Sequence, residues 1–292
     1  MKSVCMVFAA ALAVALMSSL VQAQQPMRVG SKNFTEQFIL GELYAQALEA
    51  NGIKTEKKFN LGGTLIAHKA LEEKQIDLYP EYTGTILLAV LKQETMTDAK
   101  AVYDKVKGEY AAKGLVVLNQ APVNNTYVLV VRPETAEKYK LETDSDLAKV
   151  SKELKLGAGP EFRDRKDGLP GLRDKYSMEF KEDLQLAIGL RYQALKNDQI
   201  QVVNGYSTDG MISAMKLKRL KDDRNLWPPY YIVPVVRKDA LDANPRIAEV
   251  LNRVNASLDD ATMAEMNYKV DGEKMEPKDV AHDFLKAKGI VK

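Results

Sequence analysis

The chain has 292 residues, 46% of them hydrophobic and 28% charged, with 42 basic side chains against 40 acidic ones, a single cysteine and two histidines. A formal charge of +2, with both signs mixed throughout, is no footprint for nucleic acid, which calls for a clustered basic face, and the apolar content argues against disorder. One cysteine excludes an internal disulfide and a multi-cysteine zinc site; His68 and His282 lie far apart, so imidazole chemistry is not suggested, while carboxylate chemistry stays open.

At the amino terminus Lys2 precedes an apolar run from Val4 to Met17, and Ser18, Ser19 and Val21-Gln22-Ala23 follow. This is the pattern of a secretory signal peptide, residues 1–23, cleaved near Ala23; the run is shorter than the roughly 20 residues of a spanning helix. Cleavage takes away Lys2 and Cys5, and the cysteine-free remainder suits an oxidising compartment, the periplasm.

Strand and helix signals then alternate, as in α/β proteins. Arg28–Gly30 reads as a short strand. Asn33, with Glu36 three residues on, resembles a helix start, and Ile39, Leu40, Leu43, Tyr44, Ala47 and Leu48 form a helical stripe that Asn51-Gly52 ends. Gly62-Gly63-Thr64 opens a helix through Leu71, and Ile76–Tyr79 is a strand running into Pro80. Thr126–Arg132 and Tyr231–Arg237 are two further apolar strands. The tail is helical: Asn244-Pro245 caps a stripe of Ile247, Val250, Leu251, Val254 and Leu258, and a last helix runs from about Lys278 to Gly289.

An internal echo organises these elements. Ala70-Leu71, Gln75-Ile76 and Tyr82 recur without a gap as Ala194-Leu195, Gln199-Ile200 and Tyr206. In each copy a helix leads through a polar turn into a strand and then a loop of tyrosine and small polar residues. Two lobes of similar design follow, each presenting a tyrosine at the carboxyl end of a strand, where open α/β sheets bind ligands.

No nucleophile–base pair, Gly-rich phosphate loop or cluster of metal ligands occurs; turnover lacks candidates and no cofactor is implied. Tyrosine is what the chain offers, 13 in all, several at element ends. A quaternary ammonium ion donates no ordinary hydrogen bond, so a protein that holds it surrounds it with aromatic faces whose quadrupoles attract the charge. If the ligand also carries a carboxylate, an arginine fork with a lysine or hydroxyl is expected at the other end of the pocket.

Ser31-Lys32-Asn33-Phe34-Thr35-Glu36-Gln37, the run from Asp77 to Thr85, Glu161-Phe162 with Arg165 and Asp167-Gly168, Tyr206-Ser207-Thr208-Asp209-Gly210 and Pro228-Pro229-Tyr230 together resemble the OpuAC-like substrate-binding proteins of osmoprotectant ABC transporters (the ProX, OpuCC and OsmF/YehZ group). The resemblance spans nearly all of the chain after the leader. It implies a type II periplasmic-binding fold, two α/β lobes joined by two crossover strands with the ligand cleft between them. The lobes divide as residues 27–127 plus 232–292 and residues 128–231. The implied role is the periplasmic binding component of an ABC importer for glycine betaine, choline or a related betaine. The expectation is a monomer that is not an enzyme, captures its ligand by hinge closure and delivers it to a membrane permease. Carried over by position, the cage tyrosines fall on Tyr82, Tyr127, Tyr206 and Tyr230, and the carboxylate-binding groups on Lys32, Thr85 and Arg165.

Each residue also has a plainer reading. Tyr82 and Tyr206 could be core aromatics at strand ends, and Tyr127 and Tyr230 could simply pack, with Tyr231 adjacent to the latter. Arg165 lies in a charged run, Lys32 precedes a helix amino terminus that itself attracts anions, and Thr85 could cap a helix. Glu36, Glu81 and Asp209 read as capping or bracing groups and Trp227 as a packing residue near the cleft. The competing functions are an amino-acid-type solute in the same fold and an enzyme using a carboxylate in the same cleft.

Overall fold

The structure, a computed structural model, describes residues 25–292; the leader assigned to residues 1–23 lies outside them. Among the described residues ten strands form two five-stranded sheets. In the first, β1 (Met27–Gly30) pairs in parallel with β2 (Thr55–Lys58) and with β3 (Leu78–Tyr82), while β10 (Ile232–Arg237) runs antiparallel to β3 and to β4 (Leu115–Val117). The order is β2-β1-β3-β10-β4. The charged sequence Thr-Glu-Lys-Lys of β2 lies at an edge, where charge discourages pairing with another chain. In the second sheet the order is β7-β6-β8-β5-β9, from β5 (Tyr127–Val131), β6 (Lys155–Ala158), β7 (Glu182–Gln185), β8 (Val202–Tyr206) and β9 (Lys218–Arg219). Position by position the two orders match: two parallel pairs on one side and an antiparallel return strand on the other.

Helix α1 (Thr35–Ala50) buries its predicted stripe Ile39, Leu40, Leu43, Tyr44, Ala47 and Leu48, and Gly52, at φ 79°, lets the chain turn after Asn51. Its N-cap is Phe34 and not Asn33, with no side-chain capping bond. The echo has a physical counterpart in α2 (Thr64–Glu72) and α3 (Arg191–Lys196). Each is followed by a left-handed residue, Lys74 or Asp198 (φ 60° and 56°). Gln75 and Gln199 then donate back to the carbonyls of Ala70 and Ala194, at 2.8 and 3.0 Å. Ile76 and Ile200 press so closely on Gly30 and Gly157 that an added Cβ would lie 2.5 and 2.4 Å from their Cδ1 atoms. Repeated residues therefore do repeated jobs, aiming β3 and β8 in the same way.

The strand expected at Ile76–Tyr79 is displaced, running through Pro80 to Tyr82. Proline normally ends a central strand because it cannot donate to the ladder. Here Pro80 faces Pro234 across the antiparallel β3/β10 pair. Thr83 N–H donates to the Tyr231 carbonyl, and the alternation of antiparallel bonding then puts both prolines at a position where neither needs to donate to the other.

The carboxyl-terminal helices α4 (Arg246–Ala256), α5 (Asp260–Asp271) and α6 (Pro277–Ala287) pack against α1, and α5 also meets the short helix Gly210–Ala214 that follows β8. The chain crosses from the first sheet to the second between Val117 and Tyr127 and back between Arg219 and Ile232. These two crossovers pair through an Asn124–Tyr231 bridge, an Asn125 N–H bond to the Tyr230 carbonyl (3.0 Å) and an Ile232 N–H bond to the Val123 carbonyl (3.2 Å). No helix among the described residues is long and apolar enough to cross a membrane.

Candidate functional site

The carboxyl ends of β3 and β8 carry Tyr82 and Tyr206, the first residue of β5 is Tyr127, and Tyr230 lies just before β10. Sheet topology thus brings four tyrosines from distant sequence positions to the junction of the lobes. All seven residues singled out in the sequence, Lys32, Tyr82, Thr85, Tyr127, Arg165, Tyr206 and Tyr230, line one cavity there, joined by Phe34, Asn125 and Glu161. The space left free between these side chains is about 20 Å³, room for little more than a water molecule. Tyr231 does not line it.

The rings form a connected wall. Phe34 stacks between Tyr82 and Tyr206, with centroids 6.4 and 5.8 Å away, and Tyr206 stacks on Tyr127 at 5.3 Å. Tyr230 meets Tyr127 edge-on at 5.9 Å. Phe162 and Trp227 back Tyr127 at 5.0 and 6.2 Å, and the Trp227 indole donates to the Asp167 carbonyl. Burial raises the phenol pKa of Tyr82, Tyr127 and Tyr230 well above its ordinary value, so each ring presents the neutral quadrupole that attracts a cation. The protein already uses these faces this way: the Lys32 ammonium lies 4.7 Å from the Tyr82 centroid and the Arg165 guanidinium 5.6 Å from that of Tyr127.

Neither cation is unpaired. Lys32 Nζ is 2.5 Å from Glu81 Oε1, both side chains almost wholly buried, and Arg165 forks onto both oxygens of Asp167. Asp167 also accepts the Tyr230 hydroxyl. An ammonium and a guanidinium keep donors beyond these bonds, so each cation has capacity for a further acceptor. The Thr85 side chain makes no capping bond and lines the cavity.

The remaining carboxylates brace the walls. Glu36 is buried and accepts from Tyr82 Oη (2.8 Å), Asn125 Nδ2 (2.7 Å), Thr208 Oγ1 (2.6 Å) and Asn267 Nδ2 (2.8 Å). Burial raises its pKa, opposed by these four bonds. Asp209 accepts from the Tyr192 hydroxyl and from the Tyr206 amide. No group of three or more His, Cys, Asp or Glu able to hold a metal ion occurs among the described residues.

Phe34, Glu161 and Asp167 were not among the residues singled out, although each lies inside a quoted motif. Phe34 precedes a predicted helix and reads as a capping neighbour, and Asp167 and Glu161 act through partners that local spacing does not reveal.

The profile of one family, the substrate-binding domain of the ABC-type glycine betaine transport system, matches residues 25–287. The glycine-betaine-binding protein of Pseudomonas aeruginosa is 39% identical over 280 residues, covering 92% of this chain and 89% of that protein. The ergothioneine transport permease/ergothioneine binding protein EgtU of Helicobacter pylori is 35% identical over 269 residues, 91% of this chain and 48% of that protein, so the chain spans about half its length. A solved structure of a glycine betaine/carnitine/choline ABC transporter superposes with a TM-score of 0.76 at 33% identity, covering 90% of this chain and 99% of that one.

Proposed function

The chain belongs to the family of substrate-binding domains of ABC-type glycine betaine transport systems, and from that premise we propose that it is the exported, periplasmic binding component of an importer for a quaternary ammonium osmoprotectant. Glycine betaine, choline or a related betaine is the proposed ligand, and a membrane permease the partner. One observation carries this reading: a single cavity between two lobes is walled by four tyrosines and Phe34, with Lys32, Thr85 and Arg165 along the same lining. Aromatic faces serve the trimethylammonium group and the polar residues serve a carboxylate or hydroxyl.

The lobes are divided, in this proposal, as residues 27–127 plus 232–292 and residues 128–231. Lys32, Tyr82 and Thr85 then come from one lobe and Arg165 and Tyr206 from the other, with Tyr127 and Tyr230 at the crossovers. A ligand touching both halves favours the closed state, the differential contact that a population shift requires. The protein works as a monomer and returns its solute unchanged.

A second reading within the same chemistry is a trimethylammonium zwitterion with a larger body, as ergothioneine is. It is favoured by a wider groove that opens from the cavity past Phe34 and Glu161, between Leu65 and Ile66 on one side and Leu186 and Ala187 on the other. A thermal-shift panel separates the possibilities, because binding stabilises the folded state by mass action. Glycine betaine, choline, carnitine and ergothioneine are compared with proline, glutamate and leucine. At least one quaternary ammonium compound is expected to raise the melting temperature while the amino acids do not; a shift with the amino acids alone refutes the proposal.

A further inference from the structure

Helix α2 of the first lobe begins after Gly62-Gly63, and its N-cap, Gly63, has no side chain to offer the free amides of the first turn. Those amides carry the positive end of the helix and favour an acceptor. The acceptor comes from across the cleft. Glu161, in the helical turn Pro160–Asp164 that follows β6, takes the Thr64 N–H on Oε1 at 2.6 Å and the Thr64 hydroxyl on Oε2 at 3.2 Å. The contact joins residues 97 positions apart. It adjoins the cavity on both sides: Lys32 Nζ lies 3.4 Å from Thr64 Oγ1, and Arg165 Nη1 lies 4.0 Å from Glu161 Oε2.

We infer that Glu161 is a cross-cleft latch, a positioning residue that caps α2 only when the lobes are closed and thereby sets how long the ligand is held. In an open form water satisfies the α2 amides and Glu161 is solvated; closing exchanges water for a charge-assisted cap within one geometry. The latch makes its bonds to protein, not to solute, so it adds the same increment to every ligand and biases the empty protein toward closure. A released latch speeds opening, and the dissociation rate carries the effect.

Two substitutions from opposite sides test it. Glu161→Ala removes the cap. Gly63→Ala leaves Glu161 in place but sets a Cβ 2.4 Å from Oε1; Gly63 has φ −77° and ψ −176°, extended backbone that alanine adopts freely, so the clash exists only in the closed form. Stopped-flow measurement with choline or glycine betaine, whichever the wild type binds, is expected to give dissociation rates about tenfold faster in both variants, the usual worth of a helix cap, with association within about twofold. Small-angle scattering of the ligand-free proteins is expected to give a larger radius of gyration in both, and their melting temperatures should stay near that of the wild type. Unchanged dissociation and unchanged scattering overturn the latch, as does a loss of affinity that follows a fallen melting temperature. The ligand arm rests on the solute-binding reading. If the wild type takes no quaternary ammonium compound, that reading fails while the scattering comparison still decides the latch.

Discussion

Replacing Arg165 by alanine is expected to cost the folded state about 3–5 kcal/mol, the range for breaking one side of a buried ion pair. The Arg165 and Asp167 side chains are 12% and 3% exposed, so little water reaches a carboxylate left without its guanidinium. The Tyr230 hydroxyl would be the side-chain donor remaining to Asp167, and one phenol does not replace a bidentate fork. Urea unfolding measures this directly. Adding Asp167→Asn should recover most of the loss, because an amide needs no counter-charge and its oxygen still accepts from Tyr230. Binding separates from stability in that double variant: glycine betaine should remain weakened, having lost the guanidinium for its carboxylate, while choline, which has no carboxylate, recovers further. Equal losses for both ligands would mean that Arg165 only braces the wall.

The second large effect is expected at Tyr206. Its ring completes the stack that runs from Tyr82 through Phe34 to Tyr127, and it is half-buried, so its removal opens the wall without emptying a deep core. Tyr206→Ala should weaken choline at least about tenfold, since a desolvated ring attracts a cation by ~1–2 kcal/mol and the neighbouring rings lose a partner. Tyr206→Phe keeps the quadrupole and should stay within about threefold. Calorimetry on the three proteins gives the order; a Tyr206→Ala variant that binds as tightly as the wild type removes Tyr206 from the site. Tyr82 is a less clean test, because its hydroxyl is tied to Glu36 and truncation would leave a buried carboxylate short of a donor.

Much of this architecture is legible in the sequence because it rests on local signals. The stripe of α1, the Asn51-Gly52 stop and the carboxyl-terminal helices follow from periodicity and capping chemistry. The echo is legible because the two copies solve one problem: a left-handed turn after a helix, then an isoleucine against a glycine. What local spacing does not carry is partnership across the fold. Pro80 looks like a strand end until Pro234 is known to face it. Asp167 looks like one charge in a solvated run until Arg165, Tyr230 and Trp227 are seen to converge on it. Glu161 has no local reason to be singled out, because the helix it caps belongs to the other lobe. The tyrosines stand out where these do not, since strand ends concentrate ligand contacts.

Recognition of a positive charge by aromatic faces is the central claim, and the most direct measurement is a calorimetric titration of choline against 3,3-dimethyl-1-butanol. The two compounds have nearly the same shape, but a neutral carbon replaces the ammonium nitrogen. Hydrophobic burial treats them alike, whereas cation–π attraction does not. The predicted result is that the alcohol binds at least about tenfold more weakly than choline. Equal affinity for the two would contradict the claim.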